Sequence, residues 1–186
     1  KVGFYYSLLD WRFPGYWDVK GRKKSAEAMV EQYHAQVREL MSNYGKIDIL
    51  WYDGHWIEGV SNLARFWRSK EINAWVREKQ PHILINNRSG VDEDLDTPEQ
   101  HVTASKSGRG WESCMTMGDS CGWGYILNNP NMKTAPQLLQ YLGTAAAGEG
   151  NFLLNVGPKP DGSIRKQERK RLRAIGNWLR VHGESI

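Results

Sequence analysis

Cysteine is scarce. Cys114 and Cys121 are the only two in 186 residues, too few for a disulfide framework or a cysteine-built zinc site, and they leave the redox compartment open. Long apolar runs are also missing: the mean hydropathy is −0.64, and no stretch approaches the roughly 20 apolar residues that a membrane-spanning helix needs. Internal repeats and low-complexity linkers are absent, so the chain reads as one domain over 1–186 with no internal boundary. No signal peptide is seen, but Lys1 need not be a natural start, and localisation stays unknown. Acidic residues fall slightly short of basic ones, 21 against 25, for a net charge of +4 and a pI near 9.0. Such an excess would suit nucleic acid. Much of it is concentrated in 165–171, which reads as the solvated face of a terminal helix rather than a polyanion patch.

Aromatic residues are abundant instead, with nine Trp and eight Tyr. Core packing accounts for the larger part of them. The remainder suits a sugar-binding cleft, where apolar ring faces meet C–H surfaces.

Hydrophobic periodicity alternates between strand and helix. Strands are predicted over 2–7, 47–53, 83–87, 111–117 and 152–156. Helices are predicted over 25–43, from a Ser61 cap to just before Pro81, over 134–147 and over 164–181. Met29, Tyr33, Val37, Leu40 and Tyr44 fall at helical spacing, and Gly45 ends that helix. Five strands and four helices in this order imply parallel pairing, hence an α/β fold. The run Ile47-Asp48-Ile49-Leu50-Trp51-Tyr52-Asp53-Gly54 is apolar at nearly every step, as in a parallel strand buried on both faces. Asp53 closes it, with Gly54 to turn the chain, and the C-terminal end of a strand is where α/β barrels build active sites. The plainer role for an Asp there is capping the next loop. A metal site from Asp48, Asp53 and His55 is rejected, because Asp48 and Asp53 are an odd number apart and point to opposite faces.

Trp51-Tyr52-Asp53-Gly54 is followed in order by Asn86-Asn87-Arg88, Thr97-Pro98-Glu99, Trp111-Glu112-Ser113-Cys114-Met115-Thr116 and Asn151-Phe152-Leu153-Leu154-Asn155-Val156-Gly157-Pro158, and Tyr5-Tyr6-Ser7 leads to Asp10-Trp11 before them. In this order the chain resembles the α-L-fucosidases of glycoside hydrolase family 29. The resemblance implies a retaining exo-hydrolase acting on terminal α-L-fucose without a cofactor, built on a (β/α) TIM-like barrel. It implies Asp53 as nucleophile, Glu99 or Glu112 as acid/base, and Tyr6, Trp11, Trp51, His55, Trp56, Arg88 and Trp111 around the substrate. Trp123-Gly124-Tyr125 reads as a platform at the rim.

A retaining glycosidase places its two carboxyl groups about 5–5.5 Å apart, and an inverting one leaves roughly 6.5–9.5 Å for water. Glu99, on the loop after the 83–87 strand, is the preferred second carboxyl, since the acid must reach the leaving-group oxygen at the rim. The plain alternative is a solvent-facing charge in the stretch Asp92-Glu93-Asp94-Asp96. Glu112, on a strand, is the rival, with a supporting role beside Arg88 or a tryptophan as its own alternative. The planar fork of Arg88 suits either a fucose hydroxyl or the nucleophile's charge, or else a structural salt bridge.

Family members carry further barrel strands before the segment resembling Tyr5-Tyr6-Ser7. The chain is therefore expected to be the later part of a catalytic domain, whether a fragment, one product of a split enzyme or a naturally short protein. Five strands leave open sheet edges, so a partial barrel of this kind is expected to be a homo-oligomer. The competing reading is a non-catalytic truncated barrel or fucose-binding module, which lacks the binding energy that drives the chemistry.

Overall fold

The computed structural model describes residues 1–105, 108–118, 122–129 and 131–186. Cys121 lies outside the described residues, while Cys114 is buried. Two compact units make up the chain, Lys1–Asp96 and Thr97–Ile186.

In the first unit β1 (Gly3–Ser7) runs parallel to β2 (Ile49–Asp53), which runs parallel to β3 (Leu84–Ile85). Parallel neighbours require crossovers. The first is made by a short α1 (Pro14–Trp17) and the long α2 (Lys23–Asn43), the second by α3 (Leu63–Phe66) and α4 (Ser69–Lys79). Beyond β3, Asn86 makes a parallel bridge to Leu95 in the two-residue β4 (Leu95–Asp96). Helix α2 buries Met29, Val30, Tyr33, Val37 and Met41, each three or four residues from another of the set, so that they form one stripe. The stripe packs with Leu50 and Tyr52 of β2 and with Ile72 and Val76 of α4 in one apolar cluster. Each such side chain contributes roughly 1.5–3 kcal/mol when fully buried. Tyr44, expected on that stripe, is instead 56% exposed and Met41 takes the inner position. Gly45, at φ 76°, turns the chain out of the helix.

The second unit holds β5 (Gly110–Thr116) and β6 (Asn151–Asn155), paired in parallel from Glu112 opposite Asn151 to Thr116 opposite Asn155. Their crossover is α5 (Ala135–Ala147), which opens on a reciprocal cap: the Thr134 hydroxyl accepts from the Gln137 N–H, and the Gln137 side chain accepts from the Thr134 N–H. Helix α6 (Lys166–His182) closes the chain, followed by a single 3₁₀ turn at Gly183–Ser185. The basic run at its start divides as expected of a terminal helix. Arg165 pairs with the buried Glu168 and Arg171 donates to the Lys133 carbonyl, while Lys166, Arg169 and Lys170 face solvent.

The α/β class and the parallel pairing agree with the sequence, but the count of elements does not. Six strands and six α-helices stand among the described residues, where five and four are expected. The helix foreseen from Ser61 is broken in two because Arg68 sits in the left-handed region at φ 51°. Its cap is Asn62, whose side chain accepts from the Arg65 N–H, rather than Ser61. Strand β2 also differs from a strand buried on both faces: Leu50 and Tyr52 are buried, while Ile49, Trp51 and Asp53 are half-buried.

His34 lies inside the apolar cluster, with its Nε2–H donating to the Trp67 carbonyl at 2.9 Å. Burial lowers its pKa, outweighing the Glu71 carboxylate 3.9 Å away. The unfolded chain therefore binds more protons, so stability is full above about pH 6.5 and declines as the pH falls below it. Asp10, held to about 2 by its Arg12 partner, stays out of that window. The urea midpoint should drop between pH 7.5 and pH 5.5, conditions chosen to span about 6.5, and the drop should shrink in His34→Gln.

In the second unit the buried indole of Trp111 donates to the Gly148 carbonyl at 3.0 Å, and its ring occupies the space that a Cβ on Gly150 would need, 2.2 Å away. Gly150→Ala should therefore destabilise the chain by about 1–3 kcal/mol through overpacking, read as a lower denaturant midpoint.

Candidate active site

Ser7 stands opposite Asp53 and Tyr5 opposite Trp51, so the alternation of the pleat puts Tyr5, Trp51 and Asp53 on one face. The Tyr5 hydroxyl donates to one carboxylate oxygen of Asp53 at 2.6 Å, and Arg88 Nη1 donates to the other at 3.0 Å. The Tyr5 ring stacks on Trp51 at 5.7 Å between centroids, and the Arg88 guanidinium lies over the same indole at 4.8 Å. Four side chains thus form a closed ring of contacts. Each carboxylate oxygen has two lone-pair directions, so one donor on each fixes the group and leaves acceptor capacity for a reacting carbon.

Local sequence explains the placement. Gly54, at φ 67°, ends β2 in a conformation that a side chain resists, and a Cβ there would approach Ser7 Oγ at 3.0 Å. Asn86 follows β3 and uses its side-chain amide as a backbone rung: Tyr52 N–H donates to it at 2.9 Å, and its own NH₂ donates to the Tyr52 carbonyl at 2.8 Å. Arg88 therefore leaves the sheet two residues later, beside Asp53. The loop behind it is held by Ser69 Oγ donating to the Ser89 carbonyl and by Asn73 donating to Ser89 Oγ. The Arg88–Asp53 pair is shielded, with side-chain exposures of 10% and 20%.

His55 follows Gly54. Its carbonyl accepts from the Trp67 indole at 2.7 Å, and its ring meets Trp56 edge-on at 5.5 Å. Burial and then the Arg88 charge lower its pKa, against the opposing pull of Asp53, so the imidazole is neutral at neutral pH. Trp56 is 52% exposed and Trp11 70% exposed, both on loops that leave the C-terminal ends of their strands. Tyr6 does not join the cluster. It faces α2, where its hydroxyl donates to Gln36 at 2.7 Å, and burial raises its pKa to about 12. Asp48 belongs to the other end of β2, accepting from the Val2 N–H at 2.8 Å and pairing with Lys46.

In the second unit Glu99 is half-buried beside Cys114, in a short parallel bridge made by Cys114 N–H to the Pro98 carbonyl and Gln100 N–H to the Cys114 carbonyl. Gln100, at φ 62°, ends that segment and accepts from both the N–H and the hydroxyl of Thr116. The His101 ring donates to the Glu99 carbonyl at 2.8 Å. Glu112 stands instead at the N-terminal start of the β5–β6 ladder and accepts from the Asn151 side chain. Trp111 is 6% exposed and packed on Gly148 and Gly150. Trp123-Gly124-Tyr125 lies at the far end of β6: Asn155 donates to the Trp123 carbonyl, and Arg165 sits over the Tyr125 ring. Of the acidic stretch 92–96, Glu93 and Asp94 are tied to Arg77 in the first unit.

Tyr5 and Asn86 are the site residues that sequence reasoning passed over. Both belong to motifs already singled out, and knowledge of the β1–β2 register would have selected Tyr5 over Tyr6, since only one parity of β1 shares a face with Asp53. Replacing Arg88 by Met and Asp53 by Asn, singly and together, should reveal a coupling of about 1.5–3 kcal/mol in denaturant unfolding, the worth of a hydrogen bond to a charged group.

Comparison with known proteins adds the relatives. A family model described as Alpha-L-fucosidase matches residues 1–184. The chain is 30% identical to an alpha-L-fucosidase of Dictyostelium discoideum, over 100% of this chain and 42% of the relative. Among solved structures it resembles alpha-L-fucosidase isoenzyme 1 from Paenibacillus thiaminolyticus, with a TM-score of 0.78, 32% identity, and coverage of 100% of this chain and 50% of that one. It also resembles a family 29 alpha-L-fucosidase from Bacteroides thetaiotaomicron trapped as a covalent intermediate with 2-fluoro-fucosyl fluoride, with a TM-score of 0.82, 25% identity, and coverage of 98% and 47%. The chain therefore spans less than half the length of the curated relatives it matches.

Proposed function

This chain belongs to the alpha-L-fucosidase family, and from that premise we propose that it carries the nucleophile and the acid/base of a retaining exo-α-L-fucosidase, within one partial (β/α)-barrel catalytic domain. The observation that carries the reading is the carboxylate of Asp53 at the end of β2, with Tyr5 on one oxygen and Arg88 on the other. The reaction is double displacement. An Asp53 oxygen attacks the anomeric carbon of a terminal fucose while Glu99 gives its proton to the departing oxygen, leaving a fucosyl ester on Asp53. Glu99, now a carboxylate, takes a proton from water, whose oxygen attacks the anomeric carbon; fucose leaves and Asp53 is regenerated.

Glu99 is preferred to Glu112 because active sites of α/β barrels are built at the C-terminal ends of strands. Glu112 begins its ladder, whereas Glu99 lies at the end of its short parallel segment. Arg88 and Tyr5 position the nucleophile, and Trp51, His55, Trp56 and Trp11 supply contacts to the sugar. No cofactor takes part in this scheme. A homo-oligomer belongs to the same proposal, since Leu84 and Leu153 are 48% and 39% exposed on strands β3 and β6, and light scattering of an active monomer would remove it. No helix among the described residues is long and apolar enough to cross a membrane.

Azide rescue tests the roles. Asp53→Gly and Glu99→Ala should yield fucosyl azides of opposite anomeric configuration. Glu99→Ala should lose about 10²–10⁴-fold in kcat on a poor leaving group. Should Glu112→Ala lose turnover while Glu99→Ala keeps it, the acid/base is Glu112. Tyr5→Phe should lower kcat/KM by about 10-fold or more, the equivalent of one hydrogen bond to a charged acceptor. Binding of fucose without any turnover of an aryl fucoside would favour the non-catalytic module.

A further inference from the structure

The loop after β1 exposes two indoles: Trp11, already given a contact to the sugar, and Trp17, which the proposed chemistry at Asp53 does not use. Trp11 is 70% exposed and Trp17 is 71% exposed. Large aromatic side chains are rarely left so open, because their burial is among the largest apolar contributions a residue can make. Here the exposure does not come from a loose loop. Asp10 and Arg12, on either side of Trp11, form a two-pronged pair at 2.9 and 2.6 Å; Asp10 also accepts from the Arg12 N–H at 3.0 Å and from Gln32 of α2 at 2.9 Å. The Trp17 indole N–H donates to the Trp11 carbonyl at 3.2 Å, and Tyr16 packs edge-on against Trp17 at 4.6 Å. Helix α1 is seated on α2 without room for a side chain: a Cβ on Gly15 would fall 2.2 Å from the Ala26 nitrogen, and the Gly15 N–H donates to Ser25 Oγ at 2.9 Å.

Two apolar ring systems are thus held in place on a hydrogen-bonded loop and left open to solvent. Their position relates them to the reacting end of the sheet. Ser7 is the register partner of Asp53, and the Leu8 N–H donates to the Asp53 carbonyl at 2.9 Å. Trp11 follows Ser7 by four residues, a reach of at most about 14 Å.

We propose that Trp11 and Trp17 form a stacking platform for a neutral pyranose of the leaving group, which favours a fucosylated oligosaccharide over a fucoside of a small alcohol. The assignment rests on the fucosidase reading for its place in the reaction, but the platform itself is a property of the β1–α2 loop. The two indoles present C–H-accepting faces, and the one indole N–H known to be engaged is spent inside the loop, which leaves Trp17 an apolar face without a donor of its own to satisfy. Because hydrogen bonds already hold the loop, little ordering entropy is lost on contact.

The test uses the intact chain and two readouts. In kinetics, the ratio of kcat/KM for a fucosylated N-acetyllactosamine to that for fucosyl fluoride should fall about 10-fold or more in Trp17→Ala and recover in Trp17→Tyr, which restores an aromatic face. A ratio that stays within about twofold, in a variant with wild-type circular dichroism, overturns the platform. In binding, unfucosylated N-acetyllactosamine should shift the indole fluorescence of the wild type and not of Trp17→Ala. This second readout does not need turnover. A chain that hydrolyses nothing but shows the Trp17-dependent shift keeps the platform and loses the fucosidase reading, and an active chain with no shift and no change in ratio does the reverse. Indoles that become protected from acrylamide quenching as protein concentration rises, with sugar having no effect, would assign this face to a second copy of the chain and overturn the proposal.

Discussion

Pairing Ser7 with Asp53 at the last rung of a parallel ladder fixes most of the surroundings of the Asp53 carboxylate at once. Because side chains alternate across a sheet, this register places Tyr5 beside Trp51 and within 2.6 Å of the carboxylate, while Phe4, Tyr6, Leu50 and Tyr52 turn to the helices. A slip of one residue would bring Tyr6 to the Asp53 face and carry Tyr5 into the apolar cluster. The cluster holds the register, since Leu50 and Tyr52 are wholly buried and an exchange of faces would bring the polar end of β2 inside.

Around that ladder, polar groups do the positioning that backbone alone would not. Asn86 stands in for a strand residue by pairing with both backbone groups of Tyr52, and Ser69 and Asn73 secure the loop that carries Arg88. The Trp67 indole, buried in the same cluster, holds the His55 carbonyl and so ties the loop after Asp53 to the core. Core packing and the chemistry of the strand end are therefore linked through single hydrogen bonds. Two backbone positions in left-handed conformations, Gly54 and Arg68, mark where the chain must turn to make this possible; the glycine takes it without strain, and the arginine splits a helix.

The second unit follows the same logic with a different outcome for its two acids. Glu112 is engaged by Asn151 at the entry of a parallel ladder, the end that barrels use for stability. Glu99 sits on a short segment fixed on both sides by backbone bonds to Cys114. A half-buried carboxyl on a hydrogen-bonded segment is what the acid/base role proposed for Glu99 asks for, since that group must give and take back a proton at one place.

Much of this was legible in the sequence by itself. The alternating apolar runs gave the parallel α/β class, the motif order pointed to the family, and the sequence Trp51-Tyr52-Asp53-Gly54 put a carboxylate at a strand end. Local patterns carry that information because they depend on neighbouring residues. What they could not decide was parity and pairing between distant segments: that Tyr5 rather than Tyr6 meets Asp53, that Asn86 replaces a backbone rung, that Met41 and not Tyr44 turns inward, and that Trp111 is a packing residue under Gly148 and Gly150. Nor could they foresee the break at Arg68, whose φ of 51° no local propensity favours. Tyr5 and Arg88, whose side chains donate to the Asp53 carboxylate, lie 48 and 35 positions away along the chain, and only the tertiary register brings them to it.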